Sequence, residues 1–166
     1  MMSPATLRLI NTFFYSGLLK PAPGTWGSLT ALLVGWTIEH YLGFWPLVAA
    51  MLIATFVGFY TIAEALKDTP TEDPSEIVID EVAGLWLAML FPAFGFWMRD
   101  MSMVWPGPVA AFLLFRLFDI WKPWLVGRAD RRHDPKGVML DDLWAGLFAG
   151  ICTVILAAVY HIIILG

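Results

Sequence analysis

The sequence is short of charged residues and of cysteine, and each shortage argues against a class of protein. Only 14% of its 166 residues are Asp, Glu, Lys or Arg. An ordinary soluble domain has about 25%, so this chain has too little polar surface to cover itself in water. Its single cysteine, Cys152, excludes a disulfide framework within one chain. The net charge of −4 is mild and no basic module with interleaved aromatic residues is present, which argues against a nucleic-acid partner.

Apolar and aromatic residues make up most of what is present. The residues A, V, I, L, M, F, W, Y and C form 59% of the chain, which contains nine Trp and twelve Phe. Aromatic side chains gather at the headgroup level of a bilayer, so the composition indicates a membrane protein. The N-terminus has neither a basic stretch nor an A-x-A site, so we expect no cleavable signal there. The length predicts a single membrane-embedded domain over residues 1–166.

Five apolar stretches are candidate membrane spans, since a span needs roughly 17 to 25 mostly apolar residues. They predict an all-α fold, a polytopic membrane bundle of about five transmembrane helices. A further stretch, 5–18, predicts an N-terminal amphipathic helix at the membrane interface, with a sixth span left open. The five stretches are residues 29–46, 47–65, 82–98, 105–121 and 143–165.

Lysine and arginine are unevenly distributed between the predicted loops. Half of them lie in the 122–142 loop, and cytoplasmic loops hold the excess of positive charge. We therefore expect this loop to be cytoplasmic. Because successive spans alternate in direction, the 66–81 loop and residues 20–28 are expected on the same side, and the opposite side keeps only Arg99.

Four polar clusters lie at the predicted cytoplasmic ends of the spans. Acidic residues at a helix start are favoured by the helix dipole, which alone would explain DE at 80–81 and DD at 141–142. However, Asp80 and Asp142 are each followed by a glycine at i+4, which leaves bare backbone beside the carboxylate for a neighbouring helix or a ligand. The clusters are PAPGTWGS (21–28), SEIVIDEVAG (75–84), FRLFDIWKP (115–123) and GVMLDDLWAG (137–146).

The third cluster places charge within a predicted span. Each ionisable residue there costs about 2.5 to 3.5 kcal/mol on insertion scales, so such residues indicate a functional site. A salt bridge between Arg116 and Asp119 at i, i+3 is the simpler explanation, but it is worth little in water. In the first cluster, backbone N–H groups at a helix entrance are suited to bind phosphate. A plain turn with an N-cap at Thr25 or Ser28 is the simpler explanation of that cluster.

Together the clusters supply carboxylates and cations to one predicted face. Oxygen ligands without His or Cys thiolate favour a hard ion such as Mg²⁺. Such an ion beside Arg and Lys is suited to phosphate-ester chemistry, which depends on charge stabilisation and positioning. The carboxylates are Asp80, Glu81, Asp119, Asp141 and Asp142, and the cations are Arg116 and Lys122.

In this order, PAPGTWGS, IVIDEVAGLW, FRLFDIWKPW and VMLDDLWAG resemble the phosphatidylglycerophosphatase A family of bacterial phospholipid synthesis. The resemblance extends over about residues 17–155. It implies a Mg²⁺-dependent enzyme of the bacterial inner membrane with its active site on the cytoplasmic side. Its substrate would be a phospholipid, phosphatidylglycerophosphate, from which it removes the terminal phosphate to give phosphatidylglycerol.

This hypothesis assigns a role to each polar residue but leaves two points open. Asp119 orients Arg116, acts as a general base or joins the metal site. Attack by water and an aspartyl-phosphate intermediate are both compatible with the residues. The predicted catalytic residues are Asp80, Glu81, Asp119 and Asp142, the metal ligands are Asp80, Glu81, Asp141 and Asp142, and the phosphate-binding residues are Thr25, Ser28, Arg116 and Lys122.

Other classes of protein make different demands on the sequence. A small ion-coupled transporter would use Arg116 and Asp119 as an ion path, but it needs charge near the middle of the bilayer, whereas these residues are expected near one face. Phosphatidyltransferases and His-dependent lipid phosphatases have D-G-x₂-A-R and P-S-G-H motifs, which this sequence lacks. A non-catalytic lipid-binding role leaves the carboxylates unexplained.

Overall fold

The computed structural model describes residues 2–69 and 74–165, and the regular structure in these ranges is entirely helical. The all-α prediction is therefore confirmed for the described residues. Residues 70–73 of the predicted 66–81 loop lie outside them. The helices are α1 (Pro4–Asn11), α2 (Pro23–Leu42), α3 (Phe44–Ala65), α4 (Ile79–Trp97), α5 (Gly107–Trp121), α6 (Trp124–Asp130) and α7 (Pro135–Tyr160), with a 3₁₀ turn at Ser16–Leu18 and a π-helical turn at His161–Leu165.

Three helices are long and apolar enough to cross a membrane, namely α3, α4 and α7 continued to Ile163. They correspond to the predicted spans 47–65, 82–98 and 143–165. Helix α2 has the length but contains polar turns at both ends. Helix α5 has 15 residues and rises only about 22 Å. The count of about five transmembrane helices thus stays a prediction.

Helix α2 begins earlier than the sequence suggested. Pro23 occupies the first turn, where proline is favoured because its missing N–H has no intrahelical partner. The N-cap residue is Ala22, which makes no side-chain cap, and Thr25 and Ser28 lie inside the helix. The prediction of Thr25 or Ser28 as N-cap is therefore wrong.

Helix α7 also begins earlier, at Pro135, behind an Asp134 N-cap that accepts a hydrogen bond from the Gly137 N–H. Asp141 and Asp142 consequently lie about two turns inside α7 and do not open it. The predicted 122–142 loop is wrong for the same reason, because α6 and the start of α7 occupy most of it.

The N-terminal helix is shorter than the predicted 5–18. It ends at Asn11, and residues 13–15 have positive φ, which a continuing α-helix does not allow. Eight residues rise only about 12 Å, too little to cross a bilayer. The Asn11 side-chain amide donates to the Thr61 carbonyl at 3.2 Å, and the Asn11 backbone carbonyl accepts from the Val78 N–H at 2.8 Å. These bonds fix α1 to α3 and to the start of α4, and its interfacial position stays a prediction.

Helix α4 is the centre of the bundle and packs against α2, α3, α5 and α7. Its closest neighbour is α7, and two glycines make the approach possible. A Cβ on Gly84 would lie 2.8 Å from the carbonyl carbon of Asp142, and a Cβ on Gly146 would lie 2.8 Å from that of Gly84. Small residues allow two helix backbones to come this close. The glycine at i+4 of each acid thus makes room for a neighbouring helix.

The far ends of α2 and α5 meet at a buried carboxylate. Glu39, near the end of α2, is 1% exposed, and its two oxygens accept from the Met103 N–H at 2.9 and 3.0 Å. The Trp36 indole donates to the Met103 carbonyl at 3.0 Å. These bonds fix the α4–α5 connection to the last turns of α2, which lie far along that helix from Ser28.

Candidate active site

Residues from all four polar clusters meet at one end of the bundle. The first two turns of α2, the start of α4, the second and third turns of α7 and the C-terminal end of α5 supply them. Among the described residues the site contains two ion-pair networks, the buried Asp80, and Asp142, whose buried Oδ1 makes no hydrogen bond there. The expected convergence of clusters distant in sequence is thus present in the described residues.

Arg116 is the centre of the first network, called here the arginine network. Its Nη1 donates to Asp119 Oδ2 at 2.6 Å, to Glu81 Oε1 at 3.3 Å and to Ser28 Oγ at 3.4 Å. The Ser28 hydroxyl in turn donates to Glu81 Oε2 at 3.0 Å. The charged side chains are between 13% and 17% exposed, so these charge-assisted bonds are shielded from water and strong.

Lys122 is the centre of the second network, called here the lysine network. Its ammonium donates to Asp141 Oδ2 at 3.0 Å and also to Asp130 Oδ1. Burial alone would lower the pKa of Lys122, but the bonds and charges of Asp130 and Asp141 raise it above its ordinary value. The ammonium is therefore fully charged at neutral pH.

Asp142 is the most buried acid of the site. It is 4% exposed, and its Oδ1 has no hydrogen-bond partner among the described residues. The charges of four other carboxylates act on it, those of Asp119, Asp80, Asp141 and Glu81. Clustered carboxylates repel one another unless a cation or a proton intervenes, so this end of the bundle favours a cation.

The first turn of α2 covers the arginine network. A Cβ on Gly24 would lie 3.1 Å from the carboxyl carbon of Glu81, so the backbone passes directly over that side chain. Ala22 offers no side-chain acceptor to the helix N–H groups, which leaves them suited to an anion. Thr25 is exposed on this turn and joins neither network in the described part of the chain.

Comparison with known proteins identifies this set of motifs. A family model described as phosphatidylglycerophosphatase A matches residues 9–157, which include all four clusters and both networks. The chain belongs to the phosphatidylglycerophosphatase A family. The family resemblance seen in the sequence is confirmed, and membership makes the chain a lipid phosphatase and not a transporter.

Two relatives carry the family's name, and a third carries the name of another lipid phosphatase. The phosphatidylglycerophosphatase A of Haemophilus influenzae is 32% identical over 144 residues, which cover 86% of this chain and 83% of the relative. That of Escherichia coli is 33% identical over 142 residues, 85% of this chain and 77% of the relative. A Bacteroides thetaiotaomicron protein provisionally named a phosphatidylinositol-3-phosphatase is 36% identical over 145 residues, 85% of this chain and 87% of the relative. No solved structure matches the chain.

In this phosphatidylglycerophosphatase A member, the types of side chain at the site suit a divalent cation, but their present arrangement does not form a complete set of ligands. Its donors are carboxylate oxygens, and the Asp142 Oδ1 is open to a ligand. Yet within the described ranges no three His, Cys, Asp or Glu side chains form a ready-made metal site. Arg116 holds Glu81 and Lys122 holds Asp141. A cation would therefore compete with these two side chains for its ligands.

Asp130 was not predicted from the sequence. It lies in GRADRRHD, where alternating charges indicate a solvated segment, and nothing in that pattern distinguishes it from Asp134. Only the fold of α6 brings it to Lys122. Asp80, in contrast, lies where expected, 6% exposed at the first turn of α4, with an oxygen that accepts from the Glu81 N–H at 3.0 Å.

Proposed function

We propose that the chain hydrolyses the terminal phosphomonoester of phosphatidylglycerophosphate to phosphatidylglycerol and inorganic phosphate, with Mg²⁺ as cofactor. The reaction would take place at the cytoplasmic face of a bacterial inner membrane. The observation that supports this most is the meeting of four family motifs in two cation-centred networks around Asp142.

Arg116 and Lys122 are placed to bind the phosphate. A phosphomonoester brings about −1.5 to −2 charges at neutral pH, and both side chains are cations enclosed on one side by the protein. Arg116 can hold two oxygens at once. The first turn of α2 adds backbone N–H groups on the same side.

The acids divide between two tasks in this proposal. Asp80, Glu81, Asp141 and Asp142 would hold the ion, which supplies Lewis-acid stabilisation of the phosphoryl oxygens when bound. Asp119 is bonded to Arg116 at 2.6 Å, which favours an orienting role for it over that of a base. Attack by water and attack by a carboxylate both stay open.

The aromatic residues support a site at headgroup level. Trp26 lies on the first turn of α2, and Trp121 and Trp124 flank Lys122; they are 41%, 65% and 73% exposed. Exposed Trp is typical of the membrane–water interface. A phospholipid whose acyl chains lie beside the helices would present its headgroup at this level.

The test is phosphate release by the purified protein in detergent. We expect release from phosphatidylglycerophosphate with Mg²⁺ and none with EDTA. The Bacteroides relative makes phosphatidylinositol 3-phosphate the second candidate, so kcat/KM is measured for both lipids, with a preference for phosphatidylglycerophosphate expected. A folded protein that releases phosphate from neither lipid would overturn the proposal.

Single turnover in ¹⁸O-labelled water tests for a carboxylate nucleophile. Direct attack by water places the label only in the released phosphate. Attack by a carboxylate releases phosphatidylglycerol and forms an acyl phosphate, and water that opens this intermediate at its carbonyl carbon leaves the label in an aspartate or glutamate side chain, which mass spectrometry of the digested protein locates. Water that opens it at phosphorus labels only the phosphate, so trapping of the acyl phosphate with hydroxylamine completes the test.

A further inference from the structure

We propose that Asp130 is a positioning residue that holds the Lys122 ammonium in place for the substrate phosphate. The proposal rests on the proposed function, because it assumes that Lys122 binds that phosphate. Neither the family motifs nor the sequence pattern assigns Asp130 a role.

The geometry of Lys122 carries this proposal. Its ammonium lies between two carboxylates on different helices, Asp141 on α7 and Asp130 at the end of α6. An ammonium has three N–H donors. Two are directed at these carboxylates, and the third is left for a further acceptor, which in this site is a phosphate oxygen.

Of the two carboxylates bonded to Lys122, Asp130 is the one that lies outside the cluster of candidate metal ligands. Asp141 is 9% exposed, next to Asp142 and among the acids of the site, so a bound cation would draw on it. Asp130 is 37% exposed at the edge of the site and has the Lys122 ammonium as its ion-pair partner. Asp130 therefore stays bonded to the Lys122 ammonium when a cation binds Asp141.

The fold of α6 brings Asp130 to this position. Lys122 ends α5 in the left-handed conformation, with φ of 50°, and Pro123 then starts α6 in a new direction. Gly127 packs so closely against Lys122 that a Cβ on it would lie 3.5 Å from the Lys122 carbonyl carbon and closer still to the carbonyl oxygen. Val126 and Ala129 are buried, so the apolar side of α6 fixes the helix and the last residue returns to the ammonium.

The flexibility of the Lys122 side chain explains why a second carboxylate is needed to fix its position. Lysine is a point charge on a four-carbon stem with little preorganisation of its own. Charge stabilisation of a transition state depends on groups already in place. A surface ion pair contributes little stability. Because the Lys122–Asp130 pair is about one-third exposed, attachment of α6 to the bundle is a weak alternative role for it.

The experiment compares Asp130→Asn with the wild type on the phospholipid that the wild type hydrolyses. We expect kcat to fall at least about tenfold because the ammonium is no longer held. We expect KM to change less than about twofold, because the variant keeps Lys122 and loses a negative charge that would repel phosphate. Asp130→Glu should recover part of the rate.

Asp134→Asn is the matched control. Asp134 is four residues away, equally exposed at 38%, and paired with Arg132 at 2.9 Å. Asn caps a helix as well as Asp, so the same change in charge should leave kcat and the melting temperature unchanged.

A double-mutant cycle separates positioning from folding. In a Lys122→Met background, Asp130→Asn should change kcat less than about twofold, since a residue that acts through Lys122 has nothing left to position. An equal loss in both backgrounds, or wild-type kcat in Asp130→Asn alone, would overturn the proposal. If the wild type releases phosphate from neither lipid, the proposed function fails, and this inference fails with it.

Discussion

At the scale of single residues, the described part of the site has two cations bonded to carboxylates, a further acid at Asp80, and one carboxylate, Asp142, with a buried oxygen that makes no hydrogen bond there. Arg116 and Lys122 each have two acidic partners. Asp142 Oδ1 is buried and has no hydrogen-bond partner among the described residues. Catalytic sites commonly keep such an unfavourable charge because activity needs it, at a cost in stability.

Asp142→Asn should both abolish turnover and stabilise the folded protein. Loss of the carboxylate removes an anionic oxygen ligand and also the repulsion from the four acids around it. We expect no measurable phosphate release, normal recovery in the membrane fraction and a melting temperature in EDTA about 2–4 °C higher. Asp100→Asn at the other end of the bundle is the control. Turnover near wild type would remove Asp142 from the site, and a lower melting temperature would contradict its unpaired state.

Arg116→Lys keeps the charge but loses the planar fork. A lysine cannot bond Asp119, Glu81 and Ser28 and still offer paired donors to a phosphate. We expect kcat/KM to fall at least about tenfold with little change in melting temperature. The measurement is steady-state phosphate release. An unchanged kcat/KM would leave Arg116 with a structural role only.

The site residues divide by how far the sequence reveals them. Asp80, Glu81, Arg116, Asp119, Asp141 and Asp142 are conspicuous because charge next to apolar helices is costly. Asp130 is not, because an aspartate among arginines in a polar segment is ordinary. Its role depends on a short helix that folds back over Lys122, which is a tertiary feature with no local signal.

At the scale of helices, the contact between α4 and α7 sets the site. Gly84 and Gly146 bring the two backbones together within one turn of Asp80 and Asp142. The position of the acids relative to each other therefore depends on two residues without side chains.

Gly84→Ala should loosen both the fold and the site. The added methyl group meets the Asp142 backbone and the buried Phe115 ring, and such overpacking costs about 1–3 kcal/mol. We expect a lower melting temperature and a lower kcat. Gly95→Ala is the control on the same helix, since nothing lies within 4 Å of its Cβ position. Equal melting temperatures for the two variants would contradict the close packing of α4 on α7.

Helix starts were harder to predict than helix centres. The apolar runs located α3 and α4 to within a few residues, because burial in lipid or protein requires them. Pro23 and Pro135 read as loop residues in the sequence, yet both lie in a first turn. Proline is compatible with both contexts, so composition alone does not separate them.

At the scale of the whole molecule, α2 and α5 connect the same two ends of the bundle as α3, α4 and α7. Helix α2 has Ser28 at the site and Glu39 near its far end, and α5 follows Met103 and has Asp119 in its last turn at the site. Among the described residues, five helices thus extend between the ends of the bundle, and three of them meet the length and hydropathy expected of a span.

Cysteine labelling tests whether α5 crosses the membrane. Arg99→Cys and His133→Cys are made in a Cys152→Ser chain, and an impermeant maleimide is added to intact cells. With five crossings, Arg99→Cys is labelled from outside and His133→Cys only after permeabilisation. Labelling of both from one side would show that α5 and α6 return without crossing. The parent Cys152→Ser chain, which has no cysteine, gives the background.

The shortness of α5 has a consequence for the surrounding lipid. A 15-residue helix is about 8 Å shorter than a hydrocarbon core of about 30 Å. Such hydrophobic mismatch is relieved by local thinning of the bilayer. The leaflet would dip beside Arg116 and Lys122, so that a phospholipid diffusing in the membrane plane would reach the two cations without being lifted out of it.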